Sequence, residues 1–361
     1  MKRRDFLNKA GLAAVATGAG LSSTSASAAA KTRWKMVTTW PKNFPGLGTG
    51  ANYLAQLIND MSDGRLHVKV YGANELVPPF EIFDAVSQGT AEMGHGASYY
   101  WKGKSEAAQF FSAVPFGLTA QEMNGWLYHG GGMELWQETY APFGLIPTAA
   151  GNTGVQMGGW FNREIKTLDD LKGLKMRIPG LGGEVLHRVG GTPVSLSGGE
   201  IFTSLQSGAI DATEWVGPYN DLAFGLYKAA KFYYYPGWHE PGTTLECFIN
   251  QKAFAALPKD LQSIVLNACK VANQDMLAEY TARNNAALHT LVTEHKVQLR
   301  RFPDAVMQKL KIISDEVVGE IAKKDDLSKR VYDSFRAYRD QVIAWHDISE
   351  RAYLNARGAE S

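Results

Sequence analysis

The sequence has few cysteines and no long apolar run. Its 361 residues include only two cysteines, Cys247 and Cys269, and neither belongs to a CxxC pair or a Cys/His cluster. A metal or redox site built on thiols is therefore disfavoured. The sequence leaves open whether the two cysteines pair or remain free thiols. After the amino-terminal segment, no stretch provides the roughly 18 apolar residues that a transmembrane helix needs.

Neither sign of charge dominates the chain. Lys and Arg total 37 against 36 Asp and Glu, for a net charge of +1. Residues 1–28 contain four basic residues and one acidic residue, so their removal would bring the net charge to −2. A chain with this balance lacks the basic surface that nucleic acid or an anionic membrane attracts. We therefore expect no nucleic-acid partner.

The signature motifs of several enzyme classes are also missing, since the chain has no GxSxG, HExxH or Walker pattern. Residues 46–51, GLGTGA, imitate a dinucleotide-binding fingerprint. Pro41 and Pro45, however, occupy the place of the tight strand-to-helix turn, and no acid follows the next strand to hold a ribose. The eight histidines are scattered. We expect structural roles for His95, His129, His187 and His239.

The first residues have the composition of an export signal. Arg3 and Arg4 precede a weakly apolar, Gly/Ala-rich stretch, and Ala26-Ser27-Ala28 offers a cleavage pattern of small residues. This arrangement is typical of a twin-arginine (Tat) signal peptide, which we assign to residues 1–28. The apolar stretch is too short for a membrane anchor. The sequence therefore predicts a mature protein in the periplasm.

A helix–glycine–strand unit occurs twice along the chain. Residues 81–93 read EIFDAVSQGTAEM and residues 200–212 read EIFTSLQSGAIDA. In each copy a glycine stands where a helix C-terminus favours positive φ, and a short strand follows. Because both copies come after a strand-like run, we predict two α/β lobes, 31–153 and 154–256. Their strand ends would line a ligand cleft between the lobes.

The last third of the chain is helical in pattern. We expect residues 257–325 to complete and bridge the lobes, and residues 326–361 to form a C-terminal helix. Apolar residues at helical spacing between 328 and 354 form a stripe that must pack on another surface. The pattern does not decide between the chain's own lobes and a second copy. The predicted fold class is thus α/β, a two-lobe periplasmic binding protein fold with a helical C-terminal extension.

Four polar residues stand at predicted strand ends or beside Gly/Pro breaks. Arg177 lies between Met176 and Ile178, so strand alternation directs its side chain away from theirs. A guanidinium can bind a carboxylate through two hydrogen bonds. Acids nearby would repel such an anion unless a cation lay between them. Carboxylate, amide and carbonyl oxygens are the ligands of sodium and calcium. The four residues are Gln156, Arg177, Glu214 and Glu240.

Residues 166–180 and 204–215, together with the Tat-type leader, resemble the substrate-binding proteins of tripartite ATP-independent periplasmic (TRAP) transporters. The similarity spans the mature chain and is greatest to the subgroup that binds 2-oxo or 2-hydroxy monocarboxylates with a metal ion. In that family a strand-ending arginine holds the substrate carboxylate, which implies this role for Arg177.

The resemblance also implies a cation site that the substrate completes with its carboxylate and 2-oxo oxygens. Sodium is the preferred cation and calcium the alternative. The implied metal ligands are Gln156, Glu214, the backbone carbonyl of Trp215, and Glu240. Asn220 is expected as a further substrate donor, and Tyr99, Tyr100 or Trp101 as an aromatic wall, with Tyr100 preferred.

The resemblance further implies a binding role without catalysis. The protein would deliver pyruvate or a short-chain 2-oxo acid to a TRAP membrane permease, and the helical extension would support a homodimer. One alternative is a Tat-exported periplasmic oxidoreductase, because that route carries cofactor-loaded proteins. Another is a binding protein of the same fold for a 2-hydroxy acid, a dicarboxylate or an amino acid. The chain length of the ligand and the identity of the metal stay open.

Overall fold

The computed structural model describes residues 31–358, so the predicted signal peptide (1–28) lies outside the described residues. The strands are β1 (Thr32–Thr38), β2 (Leu66–Tyr71), β3 (Met93–Gly96), β4 (Leu145–Asn152), β5 (Gly159–Phe161), β6 (Lys175–Arg177), β7 (Thr192–Val194), β8 (Ala212–Thr213), β9 (Phe232–Tyr235), β10 (Thr244–Asn250) and β11 (Gln298–Arg301).

Helices cover both sheets and form the carboxyl-terminal part of the chain. They are α1 (Leu47–Met61), α2 (Ile82–Ser87), α3 (Ala120–His129), α4 (Gly132–Tyr140), α5 (Gly180–Arg188), α6 (Gly198–Gln206), α7 (Pro218–Phe224), α8 (Gln251–Ala255), α9 (Lys259–Thr293), α10 (Asp304–Ile321), α11 (Asp326–Ile348) and α12 (Glu350–Gly358). Among residues 31–358, no helix combines the length and the apolar character that crossing a membrane requires.

The strands form two mixed sheets, one in each lobe. The first has the order β2-β1-β3-β10-β4, and the second has the order β11-β9-β5-β8-β6-β7. In the first sheet β1 runs parallel to β2 and β3, whereas β10 runs antiparallel to β3 and β4. In the second sheet β6 runs parallel to β7 and β8. The predicted two-lobe α/β fold is confirmed.

The repeated unit has the predicted local geometry in both lobes. Gly89 follows α2 with φ of 81°, and Gly208 follows α6 with φ of 76°. Positive φ strains a residue that carries a Cβ, so glycine is favoured at both helix ends. The strands that follow, β3 and β8, each pair in parallel with an earlier strand of their own sheet. Each repeat therefore adds an interior strand that runs parallel to an earlier strand of its sheet.

Two strands depart from the expected boundaries. Residues 244–250 were expected in the second lobe, 154–256, but β10 lies inside the first sheet, where Cys247 is opposite His95. In addition, β11 lies within the expected helical segment 257–325 and pairs with β9 in the second sheet. Side-chain alternation identifies a strand but does not specify which sheet it joins, because pairing is decided by distant residues.

Helix α9 spans both lobes. Its first half packs in the first-lobe core with Leu261, Val265 and Cys269, and its second half contributes Met276 and Tyr280 to a core shared with second-lobe residues. Both cysteines are buried in the first-lobe core as free thiols. A single long helix with both lobes packed on it gives them a common support.

Of the last two helices, α11 is buried only in its first half, and α12 has no buried residue. Val331 and Phe335 of α11 are buried against the first lobe, with the Phe335 ring 5.3 Å from the Trp126 ring. Further along, Trp345 is 60% exposed and Ile348 is 75% exposed. Part of the predicted apolar stripe therefore packs on the chain's own first lobe, and the rest faces outward.

Candidate functional site

Five segments meet between the two sheets. The first lobe supplies the turn Ser98–Trp101 after β3, and the second lobe supplies Arg177 at the end of β6 and the residues directly after β8. Two connections between the sheets, residues 153–158 and 236–243, complete the group. Each segment follows a strand end, which is where ligand clefts form in α/β proteins.

The two connections pack against each other through backbone hydrogen bonds. The N–H of Gln156 donates to the Glu240 carbonyl at 3.1 Å, and the N–H of Gly237 donates to the Gln156 carbonyl at 2.9 Å. A Cβ on Gly237 would lie 2.2 Å from that carbonyl oxygen, so the close approach requires glycine. The turn at Pro236-Gly237 thus brings Glu240 beside Gln156.

Arg177 is buried and makes contacts in both lobes. Alternation works as predicted, because Met176 and Ile178 pack in the core while the guanidinium faces the cleft. Its Nη1 donates to the Glu214 carboxylate, and its Nη2 donates to the Tyr100 hydroxyl at 3.2 Å. Burial acts to lower the pKa of Arg177, but the negative charge of Glu214 outweighs burial and raises the pKa above its usual value. The guanidinium therefore remains charged.

Glu214 and His239 face each other with unused polar atoms. Within the part of the chain that the structure describes, Glu214 Oε2 has no hydrogen-bond partner, and neither ring nitrogen of His239 has one. His239 Nε2 lies 3.5 Å from Glu214 Oε2. Glu214, His239 and Glu240 each place one possible ligand atom within 4.8 Å of the others. This is the geometry of a candidate metal site.

Gln156 and Glu240 form the other side of this cluster. Gln156 Nε2 donates to Glu240 Oε2 at 2.9 Å, and Thr243 donates to the same oxygen at 2.6 Å. The amide oxygen of Gln156 is buried and has no partner among residues 31–358. Burial, followed by the nearby charge of Glu214, raises the pKa of Glu240 to about 7.

These donors fit a hard cation. Two carboxylates that are close together and buried repel each other, and buried polar atoms without partners are unfavourable. A cation between Glu214, Glu240 and the Gln156 amide oxygen would relieve both problems, and oxygen atoms are the ligands that sodium and calcium accept. Three of the four predicted metal ligands therefore lie together through their side chains.

Aromatic rings surround the guanidinium. The Arg177 guanidinium carbon lies 5.1 Å from the Trp215 ring centroid, and Trp40 and Phe44 of the first lobe meet Trp215 edge-on at 6.3 and 6.2 Å. A small cavity lies at this point between the lobes. It is lined by Trp40, Leu47, Tyr99, Tyr100, Thr153, Gln156, Arg177, Trp215, Val216, Thr243 and Leu245.

Comparison with known proteins identifies the family. Residues 36–325 match the family described as bacterial extracellular solute-binding protein, family 7. The chain belongs to this family. It is 47% identical over 361 residues to a monocarboxylate 2-oxoacid-binding periplasmic protein from Nostoc sp., covering 98% of each chain.

Solved structures of similar proteins have the same fold. A TRAP periplasmic solute-binding protein from Pseudoalteromonas atlantica, crystallised with sodium and pyruvate, is 46% identical, with a TM-score of 0.88 over 91% of this chain and 100% of its own. A TRAP protein from Colwellia psychrerythraea, crystallised with calcium and pyruvate, is 45% identical, with a TM-score of 0.88 over 90% and 99%.

The predicted resemblance to TRAP solute-binding proteins is thus confirmed, and the protein is periplasmic like its family 7 relatives. The relatives are solute-binding proteins, which supports the expected binding role. The roles of individual site residues remain predictions.

Asn220, expected as a further substrate donor, has both ends of its amide engaged by other residues. Its Nδ2 donates to the Pro45 carbonyl at 2.9 Å, and its Oδ1 accepts from the Tyr280 hydroxyl at 2.8 Å. Asn220 does not line the cavity, and its amide instead ties α7 to the first lobe and to α9. Trp101 also differs from the expected aromatic wall, because its indole donates to Glu246 in the first-lobe core.

Sequence reasoning missed several residues at the site. Trp40 lines the cavity from the loop after β1, and Thr243 donates to Glu240. His239 was expected to be structural, yet it faces Glu214. Its position directly before Glu240 was the sequence feature that could have identified it.

Proposed function

We propose that this protein is the periplasmic solute-binding component of a TRAP transporter. It would bind a small 2-oxo acid, pyruvate or a short-chain relative, together with a metal cation, and deliver the acid to the membrane permease. The observation that carries this proposal is the pairing of Arg177 with Glu214 inside a cleft. A guanidinium that suits a carboxylate lies directly beside carboxylate oxygens that suit a cation.

Arg177 would hold the carboxylate of the ligand. It is charged, buried and aimed into the cleft, so an anion there would be shielded from water and would face a planar donor. The ring of Trp215 packs on the guanidinium and would limit its movement.

Gln156, Glu214, Glu240 and the carbonyl of Trp215 would hold the cation, with sodium preferred to calcium. The bound cation would supply positive charge and free coordination positions for oxygen atoms of the acid. Two relatives crystallised with pyruvate contain sodium in one case and calcium in the other, which supports both ions as candidates. The name of the Nostoc relative supports a 2-oxo acid.

Binding would be coupled to closure of the two lobes. Tyr100 belongs to the first lobe and Arg177 to the second, and their contact at 3.2 Å crosses the cleft. Trp40 and Trp215 make a second contact across it. An acid that touches residues of both lobes favours the closed arrangement, because only that arrangement provides every contact.

Export and assembly form part of the same proposal. Residues 1–28 would direct export by the twin-arginine route. The outward face of α11 and α12 would support a homodimer, since it presents large exposed apolar residues at the end of the chain. These residues are Trp345, Ile348, Tyr353 and Leu354.

A thermal-shift screen of the mature protein tests the ligand class. Pyruvate and longer 2-oxo acids should raise the melting temperature by a few degrees at about 100 times Kd, because binding to the folded state stabilises it. The rise should require sodium or calcium. Stronger stabilisation by a 2-hydroxy acid, a dicarboxylate or an amino acid would overturn the assignment of a 2-oxo acid.

A further inference from the structure

We infer that Phe116 is a positioning residue for ligand binding, which holds the interlobe connection 236–243 on the first lobe through Trp238. The connection contributes Thr243 to the cavity between the lobes, so its placement decides part of the ligand's surroundings. The inference rests on the proposed function for its ligand, pyruvate, and it adds a residue that lies outside the cavity.

The turn that carries Phe116 breaks a local sequence preference. The N–H of Gly117 donates to the Val114 carbonyl at 2.8 Å and closes a β-turn, with Pro115 second and Phe116 third. A proline at the second position and a positive φ at the third are features of a type II turn, whose third position favours glycine or asparagine. Phe116 has a φ of 53° there. A bulky side chain rarely adopts this backbone conformation, and such a departure marks a strained position that the surrounding structure must support.

The ring and the backbone of Phe116 both engage Trp238. The two rings are stacked, with their centroids 6.0 Å apart and their planes 28° apart. The Phe116 N–H also donates to the Trp238 carbonyl at 2.8 Å. Because one residue contacts both the side chain and the backbone of Trp238, it fixes the position and the orientation of this part of the connection.

The far end of the connection is attached to the same lobe. Thr244 donates its N–H to the Ser112 carbonyl at 3.1 Å, and the Ser112 hydroxyl donates to the Thr244 carbonyl at 3.0 Å. A Cβ on Gly242 would lie 2.4 Å from the Ala120 nitrogen, so the two backbones are in close contact. The first lobe therefore holds the end of the connection, and Phe116 holds its beginning.

The beginning of the connection is also where the chain changes lobes. Tyr235 is the last residue of β9 in the second sheet, and Trp238 already contacts the first lobe. Pro236 and Gly237 lie between them. A hinge needs only a few residues to absorb a change of backbone angles. With Trp238 held, movement of the lobes is confined to this short segment, and the later residues of the connection keep their places beside the cavity.

The turn is also packed on α11. A Cβ on Gly117 would lie 3.1 Å from the ring of Phe335, which is buried. Glycine thus allows the turn to approach α11 closely. The turn contacts α11 through Gly117 and the connection through Phe116, and this support on two sides offsets the strain of the positive φ.

Pyruvate titration of Phe116→Gly and Phe116→Tyr, with calcium or sodium present, tests the inference. Phe116→Gly removes the ring but suits the turn, because glycine is favoured at this position. Its pyruvate affinity should fall about 2–10-fold, the range expected for the loss of one aromatic pair. Phe116→Tyr keeps the ring and should bind as the wild type does. Phe143→Gly is the matched control and should leave affinity unchanged, because Phe143 is partly buried against the same core but packs on Phe83.

Amide hydrogen exchange of the unliganded variants separates positioning from a general loss of stability. In Phe116→Gly, exchange should become faster in residues 237–243 and stay at the wild-type rate in β1 and β2 of the same lobe. Wild-type pyruvate affinity in Phe116→Gly, an equal loss of affinity in Phe116→Tyr, or exchange that is faster throughout the first lobe would each overturn the inference.

The exchange measurement also separates this inference from the proposed function. A wild type that binds no 2-oxo acid with any cation would overturn the function, whereas faster exchange confined to residues 237–243 would still show that Phe116 holds the connection. Unchanged exchange in these residues, together with cation-dependent pyruvate binding by the wild type, would overturn the inference alone.

Discussion

Arg177 and Glu214 are joined through both side chain and backbone. The guanidinium Nη1 of Arg177 donates to the carboxylate and to the carbonyl oxygen of Glu214, at 3.2 Å for the latter, and the Glu214 N–H donates to the Arg177 carbonyl at 3.2 Å. The group proposed to hold an anion and a group proposed to hold a cation are therefore fixed relative to each other.

Replacing Arg177 should weaken binding of the acid more than it disturbs the fold. Arg177→Lys keeps the charge beside Glu214 but loses the planar pair of donors, so pyruvate affinity should fall about 10–100-fold in calorimetry. Arg177→Ala should weaken binding further and lower stability by about 3–5 kcal/mol, because Glu214 is left buried without its partner.

Arg188→Lys serves as the control for this change. Arg188 lies on α5 in the same lobe, but it is exposed and pairs with Glu320 at the surface. Its replacement should leave pyruvate affinity unchanged. If Arg177→Lys bound pyruvate as the wild type does, Arg177 would not be the carboxylate partner.

Tyr100→Phe should weaken binding moderately through lobe closure. The change removes the hydroxyl that accepts a hydrogen bond from Arg177 across the cleft and keeps the ring. One such bond is worth about 1–2 kcal/mol, so the affinity for pyruvate should fall roughly 5–30-fold. Tyr53→Phe, on α1 and outside the cavity, provides a matched loss of a hydroxyl. Equal affinities of the two variants would argue against the closure contact.

Glu246 should make the stability of the first lobe depend on pH. It is fully buried in the first sheet, where Tyr140 donates to one of its oxygens at 2.7 Å and Trp101 to the other. Burial raises the pKa of this carboxyl to about 8, although both hydrogen bonds act to lower it. The folded protein therefore favours the protonated form. The contribution is complete below about pH 4.5 and is lost as the pH rises toward 8.

Urea unfolding of Glu246→Gln at several pH values measures this contribution. Relative to the wild type, the variant should gain stability between pH 5 and pH 8 by an amount on the order of 1–3 kcal/mol. Glu134→Gln, at an exposed position of α4, controls for the change in net charge. A constant difference between Glu246→Gln and the wild type across this range would show that Glu246 is ionised in the folded protein.

The exposed face of α11 should control self-association. If the homodimer forms there, a double change of Trp345→Ser and Ile348→Ser should convert the dimer to a monomer in sedimentation velocity. Ile312→Ser, at a position of α10 that is 52% exposed, removes a comparable apolar group elsewhere. A wild type that sediments as a monomer, or a dimer that survives the double change, would contradict the proposal.

Local features of the fold could be predicted from the sequence. The repeat was recognisable because a helix end, a glycine with positive φ and a strand are consecutive in the chain, as at Gly89 and Gly208. Arg177 was recognisable because alternation between Met176 and Ile178 decides the direction of its side chain.

Features that depend on distant parts of the chain could not be predicted in this way. Strand β10 joins the first sheet because β3 and β4 flank it, and neither lies near it in sequence. Asn220 was expected at the ligand because the family resemblance implied it, but Pro45 and Tyr280 engage both ends of its amide. For His239, the decisive property is its position 3.5 Å from Glu214, which only the packed structure reveals.

We expect the acid and the cation to bind together, each raising the affinity for the other. Calorimetric titration of pyruvate into the mature protein tests it most directly, first in chelated, sodium-free buffer and then with sodium or calcium. Pyruvate affinity should rise about 5–150-fold with the cation, and saturating pyruvate should raise cation affinity by the same factor. Identical pyruvate affinities with and without cation would contradict it.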